Sequence, residues 1–202
     1  SLGKDDQYVK IIDFFTLLFE ASQPYKNFDK QIIFRLNGVS QSHEGISIKE
    51  KMIPLVKREP ELIHGIRNIV HNALKFSKSH VDINLITNST KINLEITDDG
   101  KGFPNDITNM IGEPFLKKSN FYLMEVKNRT SEEGMGLGLF IANILLEKTN
   151  GRLKFSNIKQ IENDGKKQIT GAKVEISWER SSIEVLQRDK KAKMKENPRN
   201  VS

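Results

Sequence analysis

The sequence feature that most constrains this chain is a glycine-rich stretch that runs straight into an apolar helical pattern. Gly134, Gly136 and Gly138 alternate with larger residues immediately before it. Glycine lets the backbone approach a ligand closely, and the first turn of a helix offers unpaired N–H groups that suit a phosphate. The stretch is not the dinucleotide motif G-x-G-x-x-G, because Leu139 replaces the third glycine, and no Gly-Lys-Ser/Thr of a P-loop follows. A Gly-rich turn can also simply connect two elements. Whether this one binds a phosphate therefore depends on the motifs found in the rest of the chain.

Composition excludes several classes of protein. A chain of 202 residues fits one domain of ordinary size, and because it begins with Ser we expect a fragment of a longer protein. The absence of cysteine excludes disulfides, Cys-ligated zinc and a thiol nucleophile. The net charge is +6, and much of the basic excess lies after residue 187. A basic tail is typically solvated and mobile, so we expect no nucleic-acid partner.

The N-terminal part of the chain alternates helical and extended patterns. Residues 8–21 have helical spacing that Pro24 ends, and Gln31 to Leu36 predict a strand. Residues 38–45 predict a loop, and Pro54 argues against a central strand around it.

A strong helix begins at Pro60, which suits a first turn. Its apolar stripe has the spacing i, i+4, i+7 and consists of Leu62, Ile66, Ile69, Ala73 and Phe76. Beside that stripe lie Asn68, Asn72 and Lys75. Asparagine is a poor helix former, so two asparagines one turn apart indicate that something requires their amides on one line.

A predicted β-hairpin follows, with alternating strands at residues 81–86 and 91–96. Its second strand leads into Asp98-Asp99-Gly100-Lys101-Gly102. Residues 103–133 are long, polar and without periodicity, which is typical of a functional lid or a disordered segment. The last predicted elements are a helix from Leu137 to about Lys148 that stops in a left-handed Gly151, and strands at 152–156 and 172–178.

Three separate elements could meet one nucleotide. Asp98 could accept a hydrogen bond from an exocyclic amine, which selects adenine over guanine. An amide oxygen of the asparagine pair could complete the shell of Mg²⁺, a cation that prefers oxygen ligands and keeps several waters. Lys75 and the N–H groups of the glycine-rich helix entrance could hold phosphates.

Together these motifs resemble the catalytic and ATP-binding domain of bacterial sensor histidine kinases, in the ATPase superfamily that also holds gyrase B, MutL and the large heat-shock chaperones. Residues 68–76 resemble the family's N box, 98–102 its D-x-G-x-G box and 113–115 its F box. Residues 134–139 match its second glycine box, and 171–174 resemble its Gly-Thr box with Ala172 in place of Thr. Within the family, residues 58–68 and 111–115 are most similar to the redox-responsive RegB/PrrB group.

The resemblance implies an α+β fold, a two-layer α/β sandwich (the Bergerat ATP-binding fold) with a mixed β-sheet backed by helices and a mobile ATP lid. It divides the chain into residues 1–25, an N-terminal helix or connection to a dimerisation hairpin; 26–178, the catalytic domain with its lid at about 103–133; and 179–202, a basic helix or tail.

The resemblance also implies roles for single residues. Asp98 would accept from the adenine amine, Asn72 would bind Mg²⁺, Asn68 would lie by the triphosphate and Lys75 would contact a phosphate. The other residues implied to bind ATP are Gly100, Gly102, Gly134, Gly136, Leu137, Gly138 and Leu139, with Lys117, Lys118 and Arg129 of the lid able to reach the γ-phosphate.

The family transfers the γ-phosphate of ATP to a histidine on a separate hairpin, and no such acceptor is found here. His43 lies in the predicted loop and His80 precedes a predicted strand, whereas His64 and His71 lie on the predicted helix and lack the expected His-Glu/Asp pair. All four are interpreted as ordinary histidines. In hydrolysing relatives a glutamate one turn before the Mg²⁺ asparagine activates water, whereas Asn68 cannot take a proton. We therefore expect a phosphoryl donor rather than a fast ATPase.

The resemblance further implies the partners: the phosphoacceptor hairpin and a response regulator. The parent is expected to be a homodimer anchored in the inner membrane, with this fragment as its cytoplasmic, monomeric domain. Two alternatives stay open, namely a nucleotide-binding regulatory module without phosphotransfer and a hydrolase of the gyrase or MutL kind.

Overall fold

The computed structural model describes residues 10–41, 53–104, 137–161 and 165–186. In chain order the elements are β1 (Ile11–Asp13), α1 (Phe14–Ser22), a 3₁₀ turn (Gln23–Tyr25), β2 (Gln31–Leu36), β3 (Val39–Gln41), β4 (Leu55–Lys57), α2 (Pro60–Phe76), β5 (His80–Thr87), β6 (Lys91–Asp98), α3 (Leu137–Lys148), β7 (Arg152–Ile161), β8 (Lys167–Glu179) and α4 (Arg180–Ile183). None of the described helices is long and apolar enough to cross a membrane.

Six strands form one mixed sheet in the order β3-β2-β5-β6-β8-β7. Strands β2 and β5 run parallel, and each other neighbouring pair is antiparallel. The predicted hairpin is confirmed as β5 and β6, which pair from Val81 opposite Asp98 to Thr87 opposite Ile92. This register brings Asp98 to the start of β5, close to where α2 ends.

The sheet has one buried face and one polar face. Buried and half-buried residues alternate along β5 and β6, as expected when helices cover one side of an antiparallel pair. On the polar face the Lys173 ammonium lies 2.7 Å from Glu95 and 3.5 Å from Glu175. Because Glu95 and Glu175 are directly opposite in register, the lysine compensates their repulsion. The predicted mixed sheet backed by helices is thus observed.

The helices α1, α2 and α3 fill the buried side. A Cβ on Gly65 of α2 would lie 2.6 Å from Leu146 Cγ of α3, so only glycine permits this helix–helix approach. Trp178 of β8 is buried, and its indole N–H donates to Thr149 Oγ1 at 3.0 Å, just after α3. The ring of Phe14 packs edge-on against Trp178, which joins α1 to the same core.

The helix predicted at residues 8–21 begins later than its spacing indicated. Residues Ile11–Asp13 form strand β1, which pairs with β4, and the helix begins at Phe14. The reason is a cap, since Asp13 Oδ1 accepts from Thr16 N at 2.8 Å and so satisfies a first-turn N–H. Pro24 lies in the 3₁₀ turn after α1.

Two further predictions were wrong in detail. The loop predicted at 38–45 contains β3, joined to β2 by a two-residue turn in which Asn37 (φ 49°) and Gly38 (φ 83°) are both left-handed. This is the turn that Asn-Gly favours in hairpins. After α3, Asn150 (φ 61°) takes the left-handed position predicted for Gly151. Gly151 instead lies where a Cβ would come 2.7 Å from the indole nitrogen of Trp178.

A second, small sheet lies outside the six strands. Strand β4 pairs with β1 on one side, and on the other Val56 bridges Glu184 while Val185 N donates to Leu55 O at 2.8 Å. The exclusion of β4 from the central sheet agrees with the expectation from Pro54. Strands β7 and β8 are longer than the predicted 152–156 and 172–178.

Candidate nucleotide-binding site

Asp98, the last residue of β6, lies at the centre of the candidate site. Its side chain faces the core side of the sheet, and the residue is 8% exposed. Its Oδ1 accepts from the N–H of Gly100 at 2.8 Å and of Ala172 at 3.3 Å. Burial raises the pKa of Asp98, while these two N–H groups oppose that shift. Both bonds use one oxygen, so the turn does not require the other oxygen, which a ligand amine could use.

Two glycines let the backbone close around this carboxylate. A Cβ on Gly100 would lie 2.2 Å from the carbonyl oxygen of Phe76, the last residue of α2. A Cβ on Gly171 of β8 would lie 1.9 Å from the carbonyl oxygen of Asp98 itself. Neither contact leaves room for a side chain, so both glycines are fixed by packing. Gly171 and Ala172 therefore interact with Asp98 through their backbone atoms. The hydrogen bond from the N–H of Ala172 does not require the threonine side chain that is typical of the family's Gly-Thr box.

Asp99, the next residue, holds the connection between α2 and β5. Its carboxylate accepts from Lys78 N at 2.7 Å, from Ser79 N at 3.0 Å and from the Ser79 hydroxyl. His80 Nδ1 lies 3.3 Å from the same carboxylate. Burial works against ionisation of Asp99, but the hydrogen bonds from Ser79 and its two neighbours outweigh it and lower the pKa well below its ordinary value.

The polar side of α2 carries the three residues predicted to act on the phosphates and metal. Asn68 and Asn72 are half-buried and one turn apart, and Lys75 is exposed with its ammonium 5.1 Å from the centre of the Phe76 ring. The helix thus presents two amides and a cation along one side. Its last residue, Phe76, contacts the Gly100 backbone, which places this side next to the Asp98 turn.

The glycine-rich helix entrance is described from α3 onward. Helix α3 begins at Leu137 as predicted, Leu139 is buried, and a Cβ on Gly138 would meet nothing within 4 Å. Within the part of the chain that the structure describes, the space beside Gly138 at the start of α3 is therefore open. The predicted residues Lys117, Lys118, Arg129, Gly134 and Gly136 lie outside the described residues, as does His43.

Two residues near the site had not been predicted. Lys30, just before β2, donates to the carbonyls of Leu74 and Ser77 at the end of α2, each at 2.6 Å. Asn157 of β7 accepts from Phe103 N at 2.6 Å and donates to Phe103 O at 3.0 Å, next to Gly102, whose φ is 77°. Because asparagine is depleted in strands, the sequence could have predicted a specific role for Asn157. No sequence pattern predicts the contact of Lys30 with the end of α2.

The described histidines are His64, His71 and His80. His71 stacks on Tyr25, with ring centres 5.3 Å apart and planes 22° apart, and His64 is exposed. Among the described residues no group of three or more His, Cys, Asp or Glu could hold a metal ion. Among the described residues the amide oxygen of the half-buried Asn72 is a donor of the type that Mg²⁺ accepts, and phosphates and water would have to supply most of its other ligands.

A sequence model of the family described as "Histidine kinase-, DNA gyrase B-, and HSP90-like ATPase" matches residues 57–182, more than half of the chain. This chain belongs to that family. It therefore carries the family's nucleotide-binding domain, and the predicted resemblance is confirmed.

Curated relatives and solved structures agree with the family. The sensor histidine kinase RegB of Cereibacter sphaeroides is 35% identical over 178 residues, which cover 87% of this chain but 37% of RegB. The histidine protein kinase SaeS of Staphylococcus aureus is 33% identical over 96 residues, 46% of this chain and 26% of SaeS. The mycobacterial sensor histidine kinase MprB has a similar fold, with TM-score 0.56 and 18% identity over 85% of this chain and 97% of that one. The chain thus spans little more than a third of RegB, and the fold class is as predicted.

Proposed function

We propose that this chain binds Mg-ATP between the polar side of α2 and the Asp98 turn, and donates the γ-phosphate to a histidine on a separate dimerising hairpin of a two-component sensor kinase. In this proposal Asp98 accepts from the adenine amine, Asn72 ligates Mg²⁺, and Lys75 and the start of α3 hold phosphates. Bound Mg²⁺ would supply charge neutralisation on the phosphates. The similarity to RegB and SaeS, both named as histidine kinases, supports the proposal.

The observation that carries the proposal is the geometry of Asp98. A carboxylate at 8% exposure, held through one oxygen by two backbone N–H groups, is a costly arrangement unless the carboxylate has a use. An adenine amine offers the donor that such an acceptor needs. A buried acceptor of this kind also discriminates against guanine, which presents an oxygen at the equivalent position.

Asn68 favours phosphotransfer over hydrolysis. It lies one turn before Asn72 on the half-buried side of α2, where a general base for water would have to be a carboxylate. In-line transfer to an imidazole needs positioning and charge stabilisation more than a protein base, because the incoming nitrogen brings its own lone pair. We therefore expect a negligible steady-state ATPase rate.

The proposal extends to partners. The phosphoacceptor hairpin and a response regulator would supply the next two steps, and the parent would be a membrane-anchored homodimer. We propose none of the described histidines as the acceptor; His71 is stacked on Tyr25, and His80 lies 3.3 Å from the Asp99 carboxylate.

The test is phosphotransfer in trans. The chain is incubated with γ-labelled ATP, Mg²⁺ and the purified hairpin of its parent, and the label on the hairpin is followed after acid treatment. Acid-labile phosphate on the hairpin is the expected result. ATP binding without transfer would favour the regulatory module, and steady release of free phosphate would favour a hydrolase.

The metal role has its own test in Asn72→Ala. We expect ATP affinity to fall about tenfold with Mg²⁺ present and to change little in EDTA, because only a metal ligand acts through the ion. The matched control is Asn93→Ala, since Asn93 lies between the buried Ile92 and Leu94 and so points to the opposite face of the sheet. Equal losses in EDTA and Mg²⁺ would contradict metal ligation.

A further inference from the structure

The C-terminal end of α2 is closed by a lysine from another element. The Lys30 ammonium lies 2.6 Å from the carbonyl oxygens of Leu74 and Ser77 and 3.4 Å from that of Lys75. The last four carbonyls of a helix lack intrahelical partners, and the helix dipole makes this end negative. The ammonium therefore donates to two of these helix carbonyls and to that of the following Ser77, and it complements the dipole. The Leu74 carbonyl also accepts from the Ser77 hydroxyl at 3.0 Å.

The same helix end supports the Asp98 turn. Gly100 packs against the carbonyl of Phe76 so closely that no Cβ would fit, and the N–H of Gly100 donates to Asp98 Oδ1. A displacement of the last turn of α2 would thus move Gly100 and alter its bond to Asp98. Lys30 enters β2, whose first residue Gln31 pairs with His80 at the start of β5, so its backbone is fixed by the sheet.

Two charged groups of opposite sign, Asp99 and Lys30, shift the pKa of Asp98. Burial raises its pKa, the N–H groups of Gly100 and Ala172 lower it, the neighbouring Asp99 raises it, and the cation that lowers it is Lys30. Lys30 thus acts on the carboxylate both through the helix end and through its charge.

We propose that Lys30 is a positioning residue of the nucleotide site, whose ammonium fixes the C-terminal part of α2, with Asn72 and Lys75, against the Asp98 turn and keeps the Asp98 carboxylate ready to accept from adenine. This rests on the proposed binding of ATP. Lys30 acts through other groups, so its effect must be separated from that of a helix cap that only stabilises the fold.

The experiment compares Lys30→Met with Lys26→Met. Lys26 is exposed and lies four residues earlier, so its replacement removes the same charge away from the end of α2. Dissociation constants for Mg-ATP are measured from about pH 5 to 8, and the ratio of variant to wild type removes the nucleotide's own titration. We expect Lys30→Met to weaken binding roughly tenfold at neutral pH and Lys26→Met to leave it within about twofold.

The pH profile separates the two roles. Without Lys30 the pKa of Asp98 rises further, so the loss of affinity on acidification begins at a higher pH; Lys30→Arg, which keeps the charge, restores the profile. A ratio that is the same at every pH would overturn the action on Asp98, and an unchanged affinity would overturn the positioning role. If Lys30→Met does not fold, the milder Lys30→Gln is measured in its place.

Failure of the proposed function gives a different result. Wild-type protein that binds no ATP would overturn the function and the nucleotide role of Lys30 with it. The ¹³C titration of the Asp98 carboxyl in ligand-free protein then still tests the structural half of the proposal, which is that Lys30 acts on the Asp98 carboxylate. An unshifted titration in Lys30→Met would overturn that half as well.

Discussion

The end of β6 presents two neighbouring carboxylates to two different regions of the molecule. Asp98 faces the buried side, where backbone N–H groups of Gly100 and Ala172 hold one of its oxygens. Asp99 faces outward with its side chain 22% exposed, and accepts hydrogen bonds from residues 78–80. Burial raises the pKa of the first, and hydrogen bonds lower that of the second.

A carboxylate charge alone does not make a binding residue. Asp99 is satisfied by the protein itself, so its ionised form stabilises the fold. Asp98 is kept in a place where ionisation costs free energy, and such unfavourable placement is typical of functional groups. The outer carboxylate holds α2 against β5, and the inner one remains available to a ligand.

The largest expected effect is that of Asp98→Asn. ATP affinity should fall at least roughly a hundredfold, because a charged acceptor is replaced by a neutral side chain with a donor facing the amine. The free energy of unfolding at neutral pH should stay equal or rise, since a costly buried charge is removed. Calorimetric titration and urea unfolding measure the two quantities. Undiminished binding would remove the assigned role of Asp98.

The reverse pattern is expected for Asp99→Asn. The free energy of unfolding should fall by about 2 kcal/mol, because several N–H and O–H donors lose a charged acceptor. ATP affinity should fall by less than about fivefold, since the site is disturbed only through the α2–β5 connection. A variant that unfolds like the wild type, or that loses binding as completely as Asp98→Asn, would contradict the comparison.

Acidification should separate the two carboxylates in the wild type. Asp99 has a lowered pKa in the folded state, so its stabilisation is present above its unfolded pKa and is lost only as the pH falls through the lower folded value. Asp98 has a raised folded pKa, so it takes up a proton first and its ionisation ceases to cost stability. As the pH is lowered, ATP affinity should therefore begin to fall at a higher pH than the free energy of unfolding does. Binding and unfolding profiles that coincide would be the contrary result.

The smallest effect is expected for Ala172→Thr, which introduces the residue typical of the family's Gly-Thr box. Ala172 serves Asp98 through its N–H, which the substitution keeps. ATP affinity should change less than about threefold in titration. A larger change would show that a hydroxyl beside Asp98 matters as much as the backbone donor.

Local periodicity predicted the elements that carry the site. Helix α2 and the β5–β6 hairpin were predicted closely because a single apolar stripe and strict alternation each bury one side. The position of the D-x-G-x-G motif was predicted because the motif directly follows the alternating pattern of the second hairpin strand. That Asp98 lies near the end of α2 was not predicted, and it follows from the register of β5 and β6.

The rest depends on contacts between distant residues. Lys30 donates to backbone carbonyls 44 and 47 positions later in the chain. Because every residue has a backbone carbonyl, the sequence does not show which carbonyls accept these hydrogen bonds. Strand β1 shares the helical spacing of α1, so only its pairing with β4 reveals it. Strand β3 could have been found, because Asn37-Gly38 is a hairpin turn by composition.

The small sheet around β4 has a mechanical consequence. Val56 pairs with Ile12 on one side and Glu184 on the other, and both partners run antiparallel to β4. Strand β1 and the short extended segment around Glu184 therefore run parallel to each other, with β4 between them. Tension applied to the chain before β1 and after Val185 would load β4 along its length, in shear, so its hydrogen bonds would have to break together rather than one after another. A pull on the two ends would thus meet a clamp separate from the nucleotide site.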